Sequence, residues 1–546
     1  MADTKREIER KYEATPETEL PDLTRVDGVS SVLDQGVVEL DAVYYDTADL
    51  RLAAAGITLR RRTGGADAGW HLKLPVAPGV RDEIAAPLSD EIPRSLAGLV
   101  HARTRDAEPI PVVRLISARE VLHLVDADGA LLAEVSRDAV RAERLSKGGG
   151  GRTAQWDEIE VELADDGDPA FLDAVDKKLR KAGVRPADSP SKLARALTET
   201  APEGPGKTKK SKRAKDSKAA EDSETSTGEQ APKASTGGRA AEADEADERA
   251  APDSAGHHIL AYLREQVDAI LAYDPAVRRD LPDSVHQMRV ATRRLRSAFK
   301  TYRKVVDRTV TDPIGEELKW LAAELGVARD QEVLTERLKS RIDEVPRTLL
   351  LGPVRGRLRI WTGAHGAGSR RRTLAVLDGK RYLELLDSLD ALLADPPLRK
   401  AAAGPAARVL PAAVLKDYDR LAARVEHALD LPPGHDRDLA MHDARKAAKR
   451  ARYAAEAATP ALGKPAKRFA KRMKAVQTVL GDHQDSVVAR EALRDLGIQA
   501  HAAGESAFTW GLLYGQEEAA GAERERELPE VWRKASDVDL RAALSG

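Results

Sequence analysis

A chain of 546 residues is too long for a single hydrophobic core, so two or more domains are expected. Its 88 Lys and Arg against 90 Asp and Glu leave a net charge of −2, so any polyanion must be met by locally segregated charge. Cysteine is absent, which excludes a disulfide framework and Cys-ligated zinc; no apolar run or apolar leader suits a membrane, and a cytoplasmic protein is expected.

Residues 1–200 read as short strands followed by a helix. In Arg6-Glu7-Ile8-Glu9-Arg10-Lys11-Tyr12 a period of two puts Glu7, Glu9 and Lys11 on one face and Ile8 and Tyr12 on the other. Arg60 and Arg62 share a side in Thr58-Leu59-Arg60-Arg61-Arg62, as do His71 and Lys73 in the next strand and Arg81 and Glu83 in the one after. Glu158-Ile159-Glu160-Val161-Glu162-Leu163 alternates strictly between acid and apolar. Any antiparallel sheet alternates polar with apolar, but here the polar face is almost wholly Glu, Arg and Lys. If the sheet closes, that face lines a lumen whose carboxylates suit Mg²⁺ or Mn²⁺ and whose cations suit phosphate oxygens.

Glu7-x-Glu9-x-Lys11 resembles the signature of the CYTH superfamily, the triphosphate tunnel metalloenzymes. Tyr44-Tyr45-Asp46-Thr47, Leu59-Arg60-Arg61-Arg62, Trp70-His71-Leu72-Lys73-Leu74-Pro75, Arg81-x-Glu83, Ala133-Glu134-Val135, Glu158-x-Glu160-x-Glu162 and Ser191-Lys192 follow in family order. The resemblance implies an antiparallel β tunnel and metal-dependent hydrolysis of a linear triphosphate, with Glu7, Glu9 and Lys11 as the catalytic set. It implies Mg²⁺ or Mn²⁺ held by Glu7, Glu9, Glu160 and Glu162, with Glu134, Glu158 and Asp138 as further acidic candidates. Lys11, Arg60, Arg62, Lys73, Arg81, Arg114, Arg119 and Lys192 would clamp the phosphates. One departure stands out: Ile116 and Ala118 are apolar where the family often has basic residues, so a weakened phosphate subsite is expected there.

Residues 201–255 are rich in Lys, Ser and Ala, then in Glu, Asp and Ala, and read as a disordered charged linker. From 256 the pattern is helical to 546, with breaks expected at Leu281-Pro282, Pro313, Pro346, Gly352-Pro353, Pro396-Pro397, Pro432-Pro433 and Pro460. An α+β chain is the fold class: β tunnel with flanking helices, linker, then an all-α bundle.

That bundle reads as a duplication. His286 is followed by Arg289, Arg293, Arg294 and Arg296; His442 is followed by Arg445, Lys449, Arg450 and Arg452 in the same spacing. Each copy then reaches a Leu-Gly turn, Leu325-Gly326-x-x-Arg329-Asp330 or Leu480-Gly481-x-x-Gln484-Asp485, and the repeats are placed at 256–400 and 401–546. At about 100° per residue His286, Arg289, Arg293, Arg296 and Lys300 fall on one stripe, with Met288, Leu295, Phe299 and Tyr302 opposite. Residues 285–304 hold seven Lys and Arg and no acid, whereas solvated helix faces normally mix signs. The second copy adds Lys446, Lys467, Lys471 and Lys474. Such stripes suit an anionic ligand, with both histidines in contact with phosphate.

The duplication resembles the CHAD domain, a helical module associated with polyphosphate binding. Together the two resemblances imply an inorganic triphosphatase whose helical half binds inorganic polyphosphate, with association with polyphosphate granules as a further expectation. Three alternatives stand beside it: a non-catalytic polyphosphate-binding or granule-targeting protein, a nucleic-acid binder, and an adenylate cyclase. Nucleic acid is disfavoured by the 4% aromatic content and by stripes with no interleaved stacking residues.

Overall fold

Alternating charged and apolar residues let a strand bury one face in a core while the other faces its ring neighbours, and eight such strands close the N-terminal barrel. The structure, a computed structural model, describes residues 3–145, 151–201, 250–366 and 368–545. It divides into two compact units. Residues 202–249, most of the expected linker, lie outside the described residues.

The strands are β1 (Asp3–Ala14), β2 (Ser31–Asp46), β3 (Thr58–Thr63), β4 (Gly69–Ala77), β5 (Val80–Ala86), β6 (Ile110–Val125), β7 (Leu131–Arg144) and β8 (Thr153–Leu163). They close in the order β1-β5-β4-β3-β2-β6-β7-β8, every pairing antiparallel. Outside the ring, α1 (Arg51–Ala54) and α2 (Arg94–Thr104) cover Leu59, Trp70, Leu72 and Ile84, while α3 (Pro169–Lys181) covers Tyr12, Val135, Ile159 and Val161. Asp46 explains part of the Tyr-Tyr-Asp-Thr motif: its buried carboxylate accepts the backbone N–H groups of Thr47, Leu52 and Ala53 and so starts α1.

The last helix among the described residues of this unit, α4 (Lys192–Glu199), is capped by Ser191, which accepts the Ala194 N–H. Its Leu193 and Ala196 pack with Ala42, Tyr44, Leu115, Val140, Ala142 and Trp156. By strand alternation most of these stand on the inward face, so one stretch of the lumen is apolar and Lys192 sits where apolar gives way to charged.

The second unit is helical: α5 (Ala255–Arg278), α6 (Ser284–Thr301), α7 (Arg308–Glu324), α8 (Gly326–Glu344), α9 (Val354–Gly366), α10 (Ser369–Asp378), α11 (Lys380–Ala394), α12 (Ala406–Asp430), α13 (His435–Leu462), α14 (Lys464–Ala502), α15 (Phe508–Ala535) and α16 (Val538–Ser545). Two expected breaks do not occur, since Pro313 lies inside α7 and Pro460 inside α13. Each proline forfeits one i→i−4 hydrogen bond, to the carbonyl of Thr309 or Glu456, inside a helix that otherwise continues, and α13 ends instead at Gly463. The second Leu-Gly motif is likewise no turn. Leu480-Gly481 lies inside the 39-residue α14, whereas Leu325 separates α7 from α8 in the first copy.

Candidate functional site

The barrel lumen is a cavity of about 390 Å³ with a mostly charged lining. Register explains the arrangement. Glu7 stands opposite Arg81, Glu9 opposite Glu162, Lys11 opposite Glu160 and Lys73 opposite Glu83, so inward residues of adjacent strands become neighbours.

Two clusters result. In the first, Lys73 Nζ reaches Glu7 Oε2 at 2.6 Å and lies 3.8 Å from Glu83 Oε1, which also receives Arg60 at 3.5 Å. His71 Nδ1 meets the same Glu83 oxygen at 2.9 Å, and its Nε2 meets the Asp67 carbonyl at 2.8 Å. Burial raises the Glu7 pKa, against the pull of Lys73. Glu83 remains ionised: burial opposes its charge, but the His71 hydrogen bond and Lys73 hold it well below the usual carboxylate range. Burial pushes the His71 pKa down, against the hydrogen bond to Glu83.

In the second cluster Lys11 pairs with Glu9 at 3.1 Å and also with Glu160. Arg119 is bidentate to Asp138, both contacts 2.8 Å, and reaches Glu160 at 2.8 Å. Lys192 Nζ stands 3.0 Å from Asp138, 2.7 Å from Glu158 and 2.7 Å from Glu160. Opposite charges at this density offset the cost of removing each from water.

Of the expected metal ligands, Glu7, Glu9, Glu134, Glu160 and Glu162 line the cavity. Glu158 is buried behind Lys192 and accepts the Trp156 indole N–H at 2.6 Å. Glu134 sits at the rim beside His123, and Glu162 is held by Lys5 at 2.6 Å. Asp138, Glu158 and Glu160 each offer an oxygen, all within 4.8 Å of one another. Carboxylate oxygens alone fit Mg²⁺ or Mn²⁺ by hardness, so the residues present suit a divalent ion.

Seven of the eight expected phosphate-binding cations line the lumen: Lys11, Arg60, Arg62, Lys73, Arg81, Arg119 and Lys192. Arg114 does not. It is half-exposed and bidentate to Asp41, at 2.9 and 2.5 Å, because its even position on β6 points away from the side that carries Ser117 and Arg119. Ile116 shares that outward parity and is 38% exposed, so the expected weak subsite at Ile116 and Ala118 is a feature of the outer face. Glu83, His71 and Asp67 were not among the expected site residues. Alternation with Arg81 and Lys73 carried the signal for the first two, but Asp67 lies in a loop without periodicity.

In the helical unit α6 and α13 pack together, and the Tyr302 hydroxyl donates to the Ala454 carbonyl at 2.6 Å. Met288, Leu295, Phe299 and Tyr302 are buried, as are Ala444, Ala447, Ala451, Ala454 and Ala455. The two basic faces meet, with Arg293, Arg445 and Arg452 surrounding Lys449. Burial above all, and then these cations, lower the Lys449 pKa to about 7 against the opposing pull of Asp485. Burial also lowers Arg293, Arg296 and Lys300. Burial and then Lys446 lower the His442 pKa, and His286 lies half-buried on the same stripe of α6.

Each copy repeats one contact. Arg289 Nη1 reaches Asp330 at 2.9 Å, and Arg445 Nη2 lies 3.7 Å from Asp485. Other stripe members are diverted. Arg294 and Arg452 share Glu456 at 3.1 and 3.2 Å, and both lie over the Tyr453 ring. Arg450 turns to Asp417 at 2.9 Å and the Lys300 carbonyl, because it stands a quarter-turn from Lys449. Lys446 pairs with Asp443, while Lys467, Lys471 and Lys474 are exposed on α14. Among the described residues no helix is long and apolar enough to cross a membrane.

Comparison with known proteins agrees in outline. The CYTH domain family model matches residues 5–197, and the CHAD domain model matches residues 261–494. An uncharacterized protein of Mycobacterium tuberculosis, found in two strains, is 38% identical over 554 residues, covering 98% of this chain and 97% of its own. Among solved structures, PptA from Streptomyces chartreusis aligns with TM-score 0.44 and 19% identity, covering 52% of this chain and 99% of that one. The CHAD domain from the plant Ricinus communis aligns with TM-score 0.39 and 26% identity, covering 53% and 90%.

Proposed function

Because the chain belongs to the family of proteins that carry a CYTH domain followed by a CHAD domain, we propose that it is a metal-dependent hydrolase of inorganic triphosphate or short polyphosphate, with a helical domain that binds inorganic polyphosphate. The supporting observation is the interleaving of charge in one lumen. A cavity of cations alone would suit any anion, and one of carboxylates alone would suit a metal. Lys11, Lys73, Arg119 and Lys192 stand beside Glu7, Glu9 and Glu160, which is the complement of a phosphate chain together with a divalent ion.

Glu7, Glu9, Glu160 and Glu162 would hold Mg²⁺ or Mn²⁺, with Asp138, Glu158 and Glu134 beside them. Such an ion, when bound, neutralises phosphate oxygens and acidifies water. The protein's own part is positioning: Arg60, Lys73 and Arg81 on one wall and Lys11, Arg119 and Lys192 on the other fix the chain and oppose charge growing on the leaving phosphate. Arg62 also lines the cavity and pairs with Asp67.

The deciding experiment is phosphate release from triphosphate, ATP, thiamine triphosphate and long polyphosphate with Mg²⁺ or Mn²⁺. Turnover of the inorganic chains supports the proposal. Tight polyphosphate binding without turnover of any of them replaces the hydrolase with a binding protein.

A further inference from the structure

Three helices of the second unit bring one donor each to a common point: Asp438 on α13, His483 on α14 and Glu525 on α15. His483 is 1% exposed. Its Nε2 lies 3.2 Å from Asp438 Oδ1 and 3.4 Å from Glu525 Oε1 but is aligned for a hydrogen bond with neither, and its Nδ1 has no hydrogen-bond partner among the described residues. A buried imidazole left in this condition calls for an explanation, because buried polar groups are otherwise hydrogen-bonded.

The carboxylates are oriented from behind. Arg490 holds Asp438 Oδ2 at 3.0 Å and Arg437 holds Glu525 Oε2 at 3.1 Å, so each acid presents its other oxygen to the histidine. Two donors each about 2.1 Å from one ion, at right to tetrahedral angles, stand roughly 3.0–3.4 Å apart. That is the spacing found here.

We propose that Asp438, His483 and Glu525 form a binding site for a divalent transition-metal ion, Zn²⁺ or a similar borderline cation, that ties α13, α14 and α15 together. One imidazole with two carboxylates, oriented by outer partners, is a donor set for such an ion. Close approach of α14 and α15 is built in: a β-carbon at Gly521 would stand 2.8 Å from Ser486 Oγ. The site belongs to the second repeat alone, since the first has Ala328 at the position of His483. It braces α13, which carries His442, Arg445 and Lys449, against α14, which carries Asp485, and it stands independently of the triphosphatase reading.

The test uses the full chain, stripped with chelator and titrated with Co²⁺. A nitrogen-containing, low-symmetry site is expected to give visible absorption that Zn²⁺ displaces, that His483→Gln and Glu525→Gln remove, and that Glu7→Gln leaves in place. Zn²⁺ is also expected to raise the thermal midpoint of the unmodified chain and not that of Glu525→Gln, with circular dichroism confirming that both are folded. No Co²⁺ signal in the unmodified chain, or a signal unchanged in both substituted chains, overturns the proposal and leaves an ion-pair network around a buried histidine.

Discussion

Arg289 lies so close over Gly326 that a β-carbon there would stand 3.0 Å from Nη2, and the same guanidinium donates to the Gly326 carbonyl at 3.3 Å. The equivalent pair in the second repeat is looser, with a Gly481 β-carbon 3.6 Å from Arg445 Nε. Ala at 326 is therefore expected to push Arg289 off its seat and weaken polyphosphate binding several-fold. Ala at 481, inside a continuous helix and in ordinary contact, is expected to stabilise by up to about 1 kcal/mol. Binding and thermal unfolding of the two single variants measure the contrast.

Glu7→Gln with Glu9→Gln removes two lumenal carboxylates at nearly constant shape. Turnover of triphosphate is expected to fall by roughly 10²–10³-fold or more. Arg114→Ala, which alters a half-exposed residue paired with Asp41 outside the lumen, is expected to keep turnover near that of the unmodified chain. A large kcat loss in Arg114→Ala would mean that the outer face of β6 takes part in substrate binding.

Lys449 gives a pH dependence whose sign can be worked out. Its pKa in the folded chain, about 7, lies below its ordinary value of 10.5. Over that window the folded state binds fewer protons than the unfolded chain, so the Lys449 contribution to stability improves as pH rises, opposite to a lysine in an ion pair. A bound phosphate chain adds to the counter-charge that Asp485 alone supplies and draws the proton back. Calorimetric titration with polyphosphate near pH 8, in buffers of different ionisation enthalpy, is expected to show net proton uptake that Lys449→Met abolishes.

Salt separates charge-driven binding from other modes. Polyphosphate affinity is expected to fall at least about tenfold between 50 and 200 mM salt, because displaced counterions accompany each phosphate contact. Arg289→Glu with Arg445→Glu is expected to eliminate binding. Equal affinity of the unmodified chain for double-stranded DNA would favour a nucleic-acid partner.

Much of the candidate site was legible because strand periodicity is local. Glu7, Glu9 and Lys11, or Glu158, Glu160 and Glu162, share a face wherever the strand lies, and the structure turns those faces inward. Helical periodicity worked equally well for Met288, Leu295 and Phe299. Arg114 shows the limit. Its charge suggests a phosphate ligand, but inward or outward parity is set by the register with β2, and Asp41 across that register takes the guanidinium. Arg450 fails similarly, since its partner Asp417 lies on another helix.

By itself the amino-acid order determined the two classes of domain, the duplication and the chemistry on offer, because alternation, helical spacing and charge segregation act between near neighbours. Tertiary structure alone decided which opposite charges meet: that Lys192 comes from a late helix to join Asp138, Glu158 and Glu160, and that Asp438, His483 and Glu525 converge from three helices. Those encounters join residues far apart in the chain, and nothing in local propensity specifies them; they follow from barrel closure and helix packing.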